Sequence, residues 1–208
     1  WIGYTFGGLS VLRDGRIRHV APRVTSPVGS TYAIAFERDG GVWVASSLGL
    51  LLYRDGNWTQ VDAGWGYPGG RAEYVYRDHY DRLWASDGKA LYLLDRTSRR
   101  FARVRDVPRN PMLLTSPDGR VWLMDGKQVW LLPAPPGGWR PPPVPTVAAS
   151  SFQSLFDRDG NFWAGNCPVA VCVTRPADWQ AQPGGFPARA GAERFDRPWS
   201  LSSPNVHS

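Results

Sequence analysis

The chain has 208 residues, 42% of them hydrophobic and 20% charged, with a formal net charge of +6, the profile of a folded globular protein long enough for one large domain or two small ones. No apolar run reaches the roughly 18 residues that a membrane-spanning helix needs, and no basic stretch followed by an apolar one opens the chain. The charge does not indicate a nucleic-acid partner: the 22 Arg and 2 Lys are scattered, mostly singly beside turns (Arg13, Arg38, Arg54, Arg120, Arg158), whereas neutralising a phosphate backbone requires clustered cations.

Trp1 already lies in an apolar strand pattern, with neither a methionine nor a polar lead-in, so the chain reads as a fragment of something longer. A second apolar run around Leu9 to Leu12 follows, then the turn Asp14-Gly15 and another run beginning at Ile17. From there the pattern repeats. A strand in "YAIAFE" leads to the turn Asp39-Gly40 and the run around Trp43; a further turn leads to Leu50–Tyr53, and Asp55-Gly56 to Trp58. The next unit has "EYVYRD", Tyr80-Asp81, Trp84, Ala90–Leu94, a turn over Asp95–Ser98 and Phe101. The next has "PMLLTS", Asp118-Gly119, Trp122, Val129–Leu132, Gly137-Gly138 and Trp139. The last full unit has "FQSLFD", Asp159-Gly160, Trp163, Val169–Val173, Ala177-Asp178 and Trp179.

Aligned on Trp1, Trp43, Trp84, Trp122 and Trp163, the units are spaced by 42, 41, 38 and 41 residues. Gly40, Gly119 and Gly160 supply the positive φ of a tight turn, and Asp81 takes that place in the third unit because Asp tolerates the same conformation. Each Trp on from Trp43 has an apolar residue on both sides (Val42 and Val44, Leu83 and Ala85, Val121 and Leu123, Phe162 and Ala164), which predicts a strand covered on both faces. No stretch keeps a 3.6-residue apolar period without Gly or Pro, so helix is nearly absent.

Four short strands joined by three tight turns in about 41 residues, repeated, predict an all-β fold: a β-propeller of four-stranded antiparallel blades. The repetition has a physical reason, since such a blade has two apolar faces and each neighbour covers one. The chain holds about five blades' worth, with approximate units 1–31, 32–72, 73–110, 111–150 and 151–193 and a further unit starting at 194–208. An open arc of a larger propeller is expected, with a β-helix as the alternative fold.

The wording of the repeat, in "WIGYTFGGLSVL", "ERDGGVWVASSLGLLLY" and "FDRDGNFWAGN", resembles the two-component regulator propeller repeat of bacterial sensor proteins, and "LSSPNVHS" looks like the start of another copy. The departures are Asp81 in place of glycine, the short "SDGK" and "MDGK" loops, and the Pro-rich segment 133–145. The resemblance implies a periplasmic ligand-sensing module of an inner-membrane-anchored protein, followed in the same polypeptide by a histidine kinase or diguanylate cyclase. It implies no catalysis by this fragment and no cofactor. The expected partners are a small molecule, carbohydrates among the candidates, the downstream signalling domain and a second copy in a homodimer. The alternatives are a protein-binding or assembly scaffold and a streptogramin-lyase-like propeller enzyme.

The inventory of reactive side chains agrees with a non-enzyme. His19, His79 and His207 fall in different units, no metal site is expected, and the carboxylates sit mostly in D-G turns, where local backbone bonding accounts for them. Cys167 and Cys172, in "GNCPVAVC", are either a small-loop disulfide or two unpaired thiols. In a propeller, the connections between blades and the loops between second and third strands share one face. Here that face would carry "AGWGYPGGRAE", "RDVPRNP", "SDGK", "MDGK" and "GNCP". On it Trp65, Tyr67 and Arg71 are the candidate ligand-binding residues, aromatic rings for stacking on a sugar and a guanidinium for hydroxyls or a carboxylate, unless the rings only pack the loop. Trp43, Trp84, Trp122 and Trp163 are read as blade packing.

Overall fold

The computed structural model describes residues 1–21, 28–107, 111–124, 129–132, 154–167, 170–180 and 193–195. The chain divides into two compact units, Trp1–Pro111 and Met112–Ser208.

The first unit holds three antiparallel sheets whose strands follow one another in chain order. The first sheet has β1 (Ile2–Gly3), β2 (Leu9–Arg13) and β3 (Arg16–Ala21). The second has β4 (Thr31–Phe36), β5 (Val42–Ser46), β6 (Gly49–Arg54) and β7 (Asn57–Val61). The third has β8 (Tyr74–Arg77), β9 (Leu83–Ser86), β10 (Ala90–Asp95) and β11 (Arg100–Asp106).

The tight turns at Asp14-Gly15 and Asp55-Gly56 are where the sequence places them. Asp14-Gly15 and Asp55-Gly56 join Arg13 to Arg16 and Arg54 to Asn57 as two-residue hairpin loops, with φ of +50° and +71° in one and +50° and +84° in the other. Positive φ at both central residues matches the right-handed twist of the flanking strands, and Asp-Gly is among the few pairs that supply it. Asp81 has φ +63°, so the carboxylate residue does occupy the glycine position of the third repeat.

The core follows from strand alternation. All five residues of β5 are buried, with Trp43 and Ala45 facing the third sheet and Val42 and Val44 facing the first. Trp43 and Ala45 pack with Leu50 and Leu52 of their own sheet and with Leu83, Ala85, Tyr92 and Leu94 across the gap. Val42 and Val44 meet Leu9 and Val28 on the other side. The second sheet is therefore half of two cores, and successive side chains of its second strand serve different neighbours.

The second unit repeats this arrangement. Its sheets are β12 (Met112–Thr115), β13 (Val121–Met124) and β14 (Val129–Leu132), and β15 (Ser154–Phe156), β16 (Phe162–Cys167), β17 (Ala170–Thr174) and β18 (Glu193–Phe195), all antiparallel. Every residue of β13 is buried. Trp122 and Met124 form a cluster with Leu114, Phe162 and Trp179.

One sequence expectation is corrected here. Ala177-Asp178 is not a hairpin turn leading into a strand at Trp179 but part of a short helix, α1 (Pro176–Gln180), and the fourth strand of the sheet comes later, at Glu193–Phe195. Proline opens a helix at no cost in hydrogen bonding because the first N–H groups of a helix have no internal acceptor. The helix turns Trp179 fully into the core, where its indole N–H donates to the Gly160 carbonyl at 2.9 Å. The "MDGK" loop beyond Met124, the Gly137-Gly138 turn with Trp139, and the Pro-rich segment lie outside the described residues.

Candidate functional site

The four Trp turns share a contact absent from the sequence expectation. The residue six places before each Trp accepts that Trp's indole N–H. Trp43 donates to Glu37 Oε1 at 2.8 Å, Trp84 to Asp78 Oδ2 at 2.8 Å, Trp122 to Ser116 Oγ at 3.1 Å, and Trp163 to Asp157 Oδ2 at 2.7 Å. The backbone at each site closes the same way. The N–H of the acceptor residue bonds the carbonyl four places on, as in Asp78 to Arg82 at 3.0 Å, and the positive-φ residue donates back, as in Asp81 to Asp78 at 3.0 Å.

Where the acceptor is Asp, it also organises the turn. Asp78 Oδ1 accepts the N–H groups of Tyr80 and Arg82 at 2.9 Å each, and Oδ2 accepts Arg82 Nε at 2.6 Å, with the Asp78 side chain wholly buried. Asp157 repeats this with the N–H groups of Asp159 and Asn161 and the side-chain amide of Asn161. In the Ser116 turn the carboxylate comes from Asp118 instead. Ser116 Oγ donates to Asp118 Oδ1 at 2.5 Å while Arg120 Nε donates to Asp118 Oδ2 at 2.7 Å. Arg82 and Arg120 lie over the faces of Trp84 and Trp122, 5.0 and 5.2 Å from the ring centroids.

The indole of Trp163 and the side-chain amide of Asn161, bonded to the Asp157 carboxylate, draw its pKa down to about 2. A carboxylate whose pKa folding depresses stabilises the folded state above its unfolded value, near 3.8, and loses that contribution as pH falls through the folded value. Melting curves of the wild type and of Asp157→Asn are therefore expected to run parallel near neutrality. They converge between pH 4 and 2, because only the wild type gives up the charged form (~2 to 4 being the window between the two pKa values).

Glu37 connects its turn to the next sheet. Arg96, just past β10, donates Nη1 and Nη2 to the two Glu37 oxygens at 3.2 and 2.9 Å and its Nε to the Asp81 carbonyl at 3.0 Å. Asp81 also pairs with Arg77 at 2.6 Å and with Arg38 at 3.7 Å. Burial works to raise the Asp81 pKa, but the hydrogen bond from Arg77 and the charges of Arg96 and Arg38 outweigh it and hold the carboxyl below its usual value.

Beside this network, between the second and third sheets, lies a cavity of 240 Å³. Trp43, Leu52 and Leu94 supply its apolar wall, Trp65 one side, and Glu37, Asp39, Arg54, Arg96 and Arg99 its polar groups. The segment after β7 delivers Trp65. Asp62 caps a single 3-10 turn, Ala63–Trp65, by accepting the Gly64 N–H at 2.8 Å, and Gly66 ends it in the left-handed conformation at φ +71°. A side chain at Gly66 would place a Cβ 2.4 Å from the Phe101 carbonyl oxygen, so glycine is needed there for both reasons. The half-buried Trp65 then sits edge-on to Trp43, ring centroids 6.2 Å apart at 87°.

The structure does not bring Trp65, Tyr67 and Arg71 together as one surface cluster. Tyr67 is fully buried, edge-on to Tyr92 and Phe101 at 5.1 and 5.7 Å, and is a core residue. Burial raises its phenol pKa, helped by the nearby charge of Asp87. Arg71 is exposed, paired with Glu73 at 3.1 Å and lying 4.6 Å over the ring of Tyr32. Tyr32 is at the start of β4, whereas the Glu37–Asp39 turn beside Trp65 follows its end, so Trp65 and Arg71 stand at opposite ends of that strand. Of the three, only Trp65 lines the cavity. Trp43, Trp84 and Trp122 are buried, and Trp163 is half-buried.

His19 Nδ1 is 2.8 Å from Ser10 Oγ, and His79 is exposed with its ring edge-on to Tyr80; His207 lies outside the described residues. Among the described residues, no three His, Cys, Asp or Glu side chains gather as metal ligands, and no helix is long and apolar enough to cross a membrane. Cys172 is disulfide-bonded; the side chain of Cys167, the other cysteine of the chain, lies outside the described residues, as does the 168–169 part of "GNCP".

No family model matches the chain, and no curated protein sequence matches it. Solved structures do. The extracellular domain of a protein from B. thetaiotaomicron, described as a hybrid two-component system, matches 99% of this chain with a TM-score of 0.68 at 14% identity. This chain spans 28% of that domain's length. A gluconolactonase from Xanthomonas campestris matches 82% of this chain and 66% of its own, with a TM-score of 0.58 at 15% identity. Streptogramin B lyase matches 92% of this chain and 62% of its own, with a TM-score of 0.55 at 13% identity. At identities this low, matches of this kind show a shared fold alone, one of antiparallel sheets of three or four strands.

Proposed function

We propose that this chain is an arc of a β-propeller and part of the extracytoplasmic sensor region of a bacterial two-component signalling protein. In this reading it is non-catalytic, receives a small molecule, with carbohydrates the first class to test, and passes occupancy to a kinase or cyclase in the same polypeptide. One observation carries the reading: 99% of the chain aligns at a TM-score of 0.68 with an extracellular domain described as belonging to a two-component system, against 0.58 and 0.55 for the lactonase and the lyase. The D-G-x-apolar-Trp wording of the repeats supports it independently, because that resemblance rests on residues rather than on shape. The Glu37–Arg96 pair is consistent with it as well, since a turn held by an ion pair to the next sheet can transmit a displacement across the gap.

A thermal-shift screen of the 208-residue chain against mono- and oligosaccharides, sugar acids and short peptides tests the proposal. A ligand that binds only the folded state stabilises it by RT ln(1 + [L]/Kd), about 2.7 kcal/mol at a hundredfold excess over Kd. The expected result is a saturable rise in melting temperature, with the ligand recovered chemically unchanged. Turnover of the ligand would replace the sensor reading with an enzymatic one.

A further inference from the structure

We infer that the 240 Å³ cavity between the second and third sheets is a binding site for a small monocarboxylate carried on a ring, with Arg99 as the partner of the carboxylate and Trp65 as the wall against the ring. The inference deepens the sensor reading and rests on it.

The charges in the cavity point to the ligand. Arg54 is matched to Asp39, Nη2 lying 2.9 Å from Oδ2, and Arg96 is matched to Glu37 by two hydrogen bonds. Arg99 has no hydrogen bond or ion pair among the described residues, so two carboxylates and three guanidiniums leave one positive charge over. A monocarboxylate matches that excess and can accept two parallel N–H bonds from a guanidinium. A neutral ligand would leave this exposed guanidinium to solvent alone.

The backbone adds a second observation. Arg99 has φ +54° in the turn between β10 and β11, and the other non-glycine residues at positive φ among those described are Asp14, Asp55 and Asp81. Asp suits this conformation, whereas a long side chain without a short polar group gains nothing from it. A turn needing only the geometry would be better served by Gly or Asn. Arg99 is an exposed lining residue of the cavity held at positive φ, and such backbone outliers cluster at ligand sites.

Size and the apolar wall narrow the ligand further. At 240 Å³ the cavity lies below the roughly 300–1,000 Å³ of drug-sized sites, which suits one ring and excludes an extended oligosaccharide. The indole N–H of Trp65 has no acceptor among the described residues and is free to donate to a ring hydroxyl. Both a sugar acid and an aromatic acid carry the required chemistry.

The test is calorimetric titration of the 208-residue chain with glucuronate, galacturonate and benzoate, with glucose and the methyl ester of glucuronate as neutral controls. Arg99→Asn keeps a residue that tolerates the left-handed turn while removing the cation; its melting temperature without ligand checks that the fold is retained. The expected result is binding of a carboxylate that weakens about tenfold or more in Arg99→Asn, a loss of 1.4 kcal/mol per decade, with neither neutral control binding. Glucuronate or galacturonate without benzoate would assign a sugar acid, and the reverse an aromatic acid. Failure of all three acids at millimolar concentration, or equal binding by Arg99→Asn, overturns the inference. If another compound then stabilises the chain and ignores Arg99→Asn, this assignment falls while the sensor reading stands; if nothing stabilises it, both fall.

Discussion

Asp78→Ala is expected to lower the stability of the chain by about 3–5 kcal/mol, the cost of stripping one partner from a buried ion pair. For a domain of this size that is a fall in melting temperature of about 6–20 °C. The Asp78 side chain has no solvent exposure, and its two oxygens accept four hydrogen bonds, from the backbone of Tyr80 and Arg82, from Arg82 Nε and from the Trp84 indole. Alanine leaves all four donors without their acceptor, and the Arg82 guanidinium remains a cation with its side chain only 15% exposed. Asp78→Asn is expected to fall between wild type and alanine. Its carbonyl oxygen can still serve the turn, while its NH₂ group must face either Arg82 or the Trp84 N–H, donor against donor. Denaturant unfolding of the three proteins checks the order. If alanine and asparagine cost the same, the negative charge is what matters; if both cost under 1 kcal/mol, the hydrogen bonds at Asp78 are not what holds the turn (~1 kcal/mol being the net worth of one ordinary hydrogen bond).

This position also shows how far the sequence could be read. Strands and tight turns were legible because they rest on local chemistry: Asp-Gly at hairpin loops, alternation on the strands, and a Trp flanked by apolar residues. Asp81 could be placed at the glycine position because Asp tolerates positive φ. The indole acceptor was harder to see although it keeps a fixed offset from Trp. It is Glu37, Asp78, Ser116 and Asp157 in turn, and only hydrogen-bond capacity unites those four. Reading the carboxylates as local turn formers was half of the truth, since Asp78 and Asp157 do bind the turn backbone, and the indole bond is the other half.

The candidate ligand residues were legible only in kind. Trp65 and Tyr67 are two places apart in one loop, yet one lines a cavity and the other is core. What separates them is the left-handed turn at Gly66 and its close approach to Phe101, a residue 35 positions away. Arg99 was not a candidate at all. Its guanidinium, without a partner among the described residues, is meaningful only once Arg54 and Arg96 are seen to be matched, and Arg96 is matched to a residue 59 positions earlier. The helix at Pro176–Gln180 escaped for a different reason: five residues are too few to display a helical period.

Trp122→Ala is the second large effect expected, about 3–5 kcal/mol, as for other buried tryptophans cut back to alanine. Trp122 is fully buried, among Leu114, Met124, Phe162 and Trp179. Two of these come from the neighbouring sheet and from the helix between its third and fourth strands, so the cavity opened by alanine lies where one sheet covers the next, and the unit cannot collapse into it without shifting a whole sheet. Trp122→Phe separates this packing from the indole hydrogen bond. In this turn the acceptor is Ser116 Oγ, which keeps its own bond to Asp118 and loses only a neutral partner, so phenylalanine is expected to cost about 1 kcal/mol for the lost bond. The same replacement at Trp84 removes a donor from the buried Asp78 carboxylate and should cost more, about 1–3 kcal/mol. Measuring both Trp→Phe variants by denaturant unfolding therefore distinguishes a repeat held by packing alone, in which the two costs are equal, from one in which the buried carboxylate makes the indole N–H part of the turn.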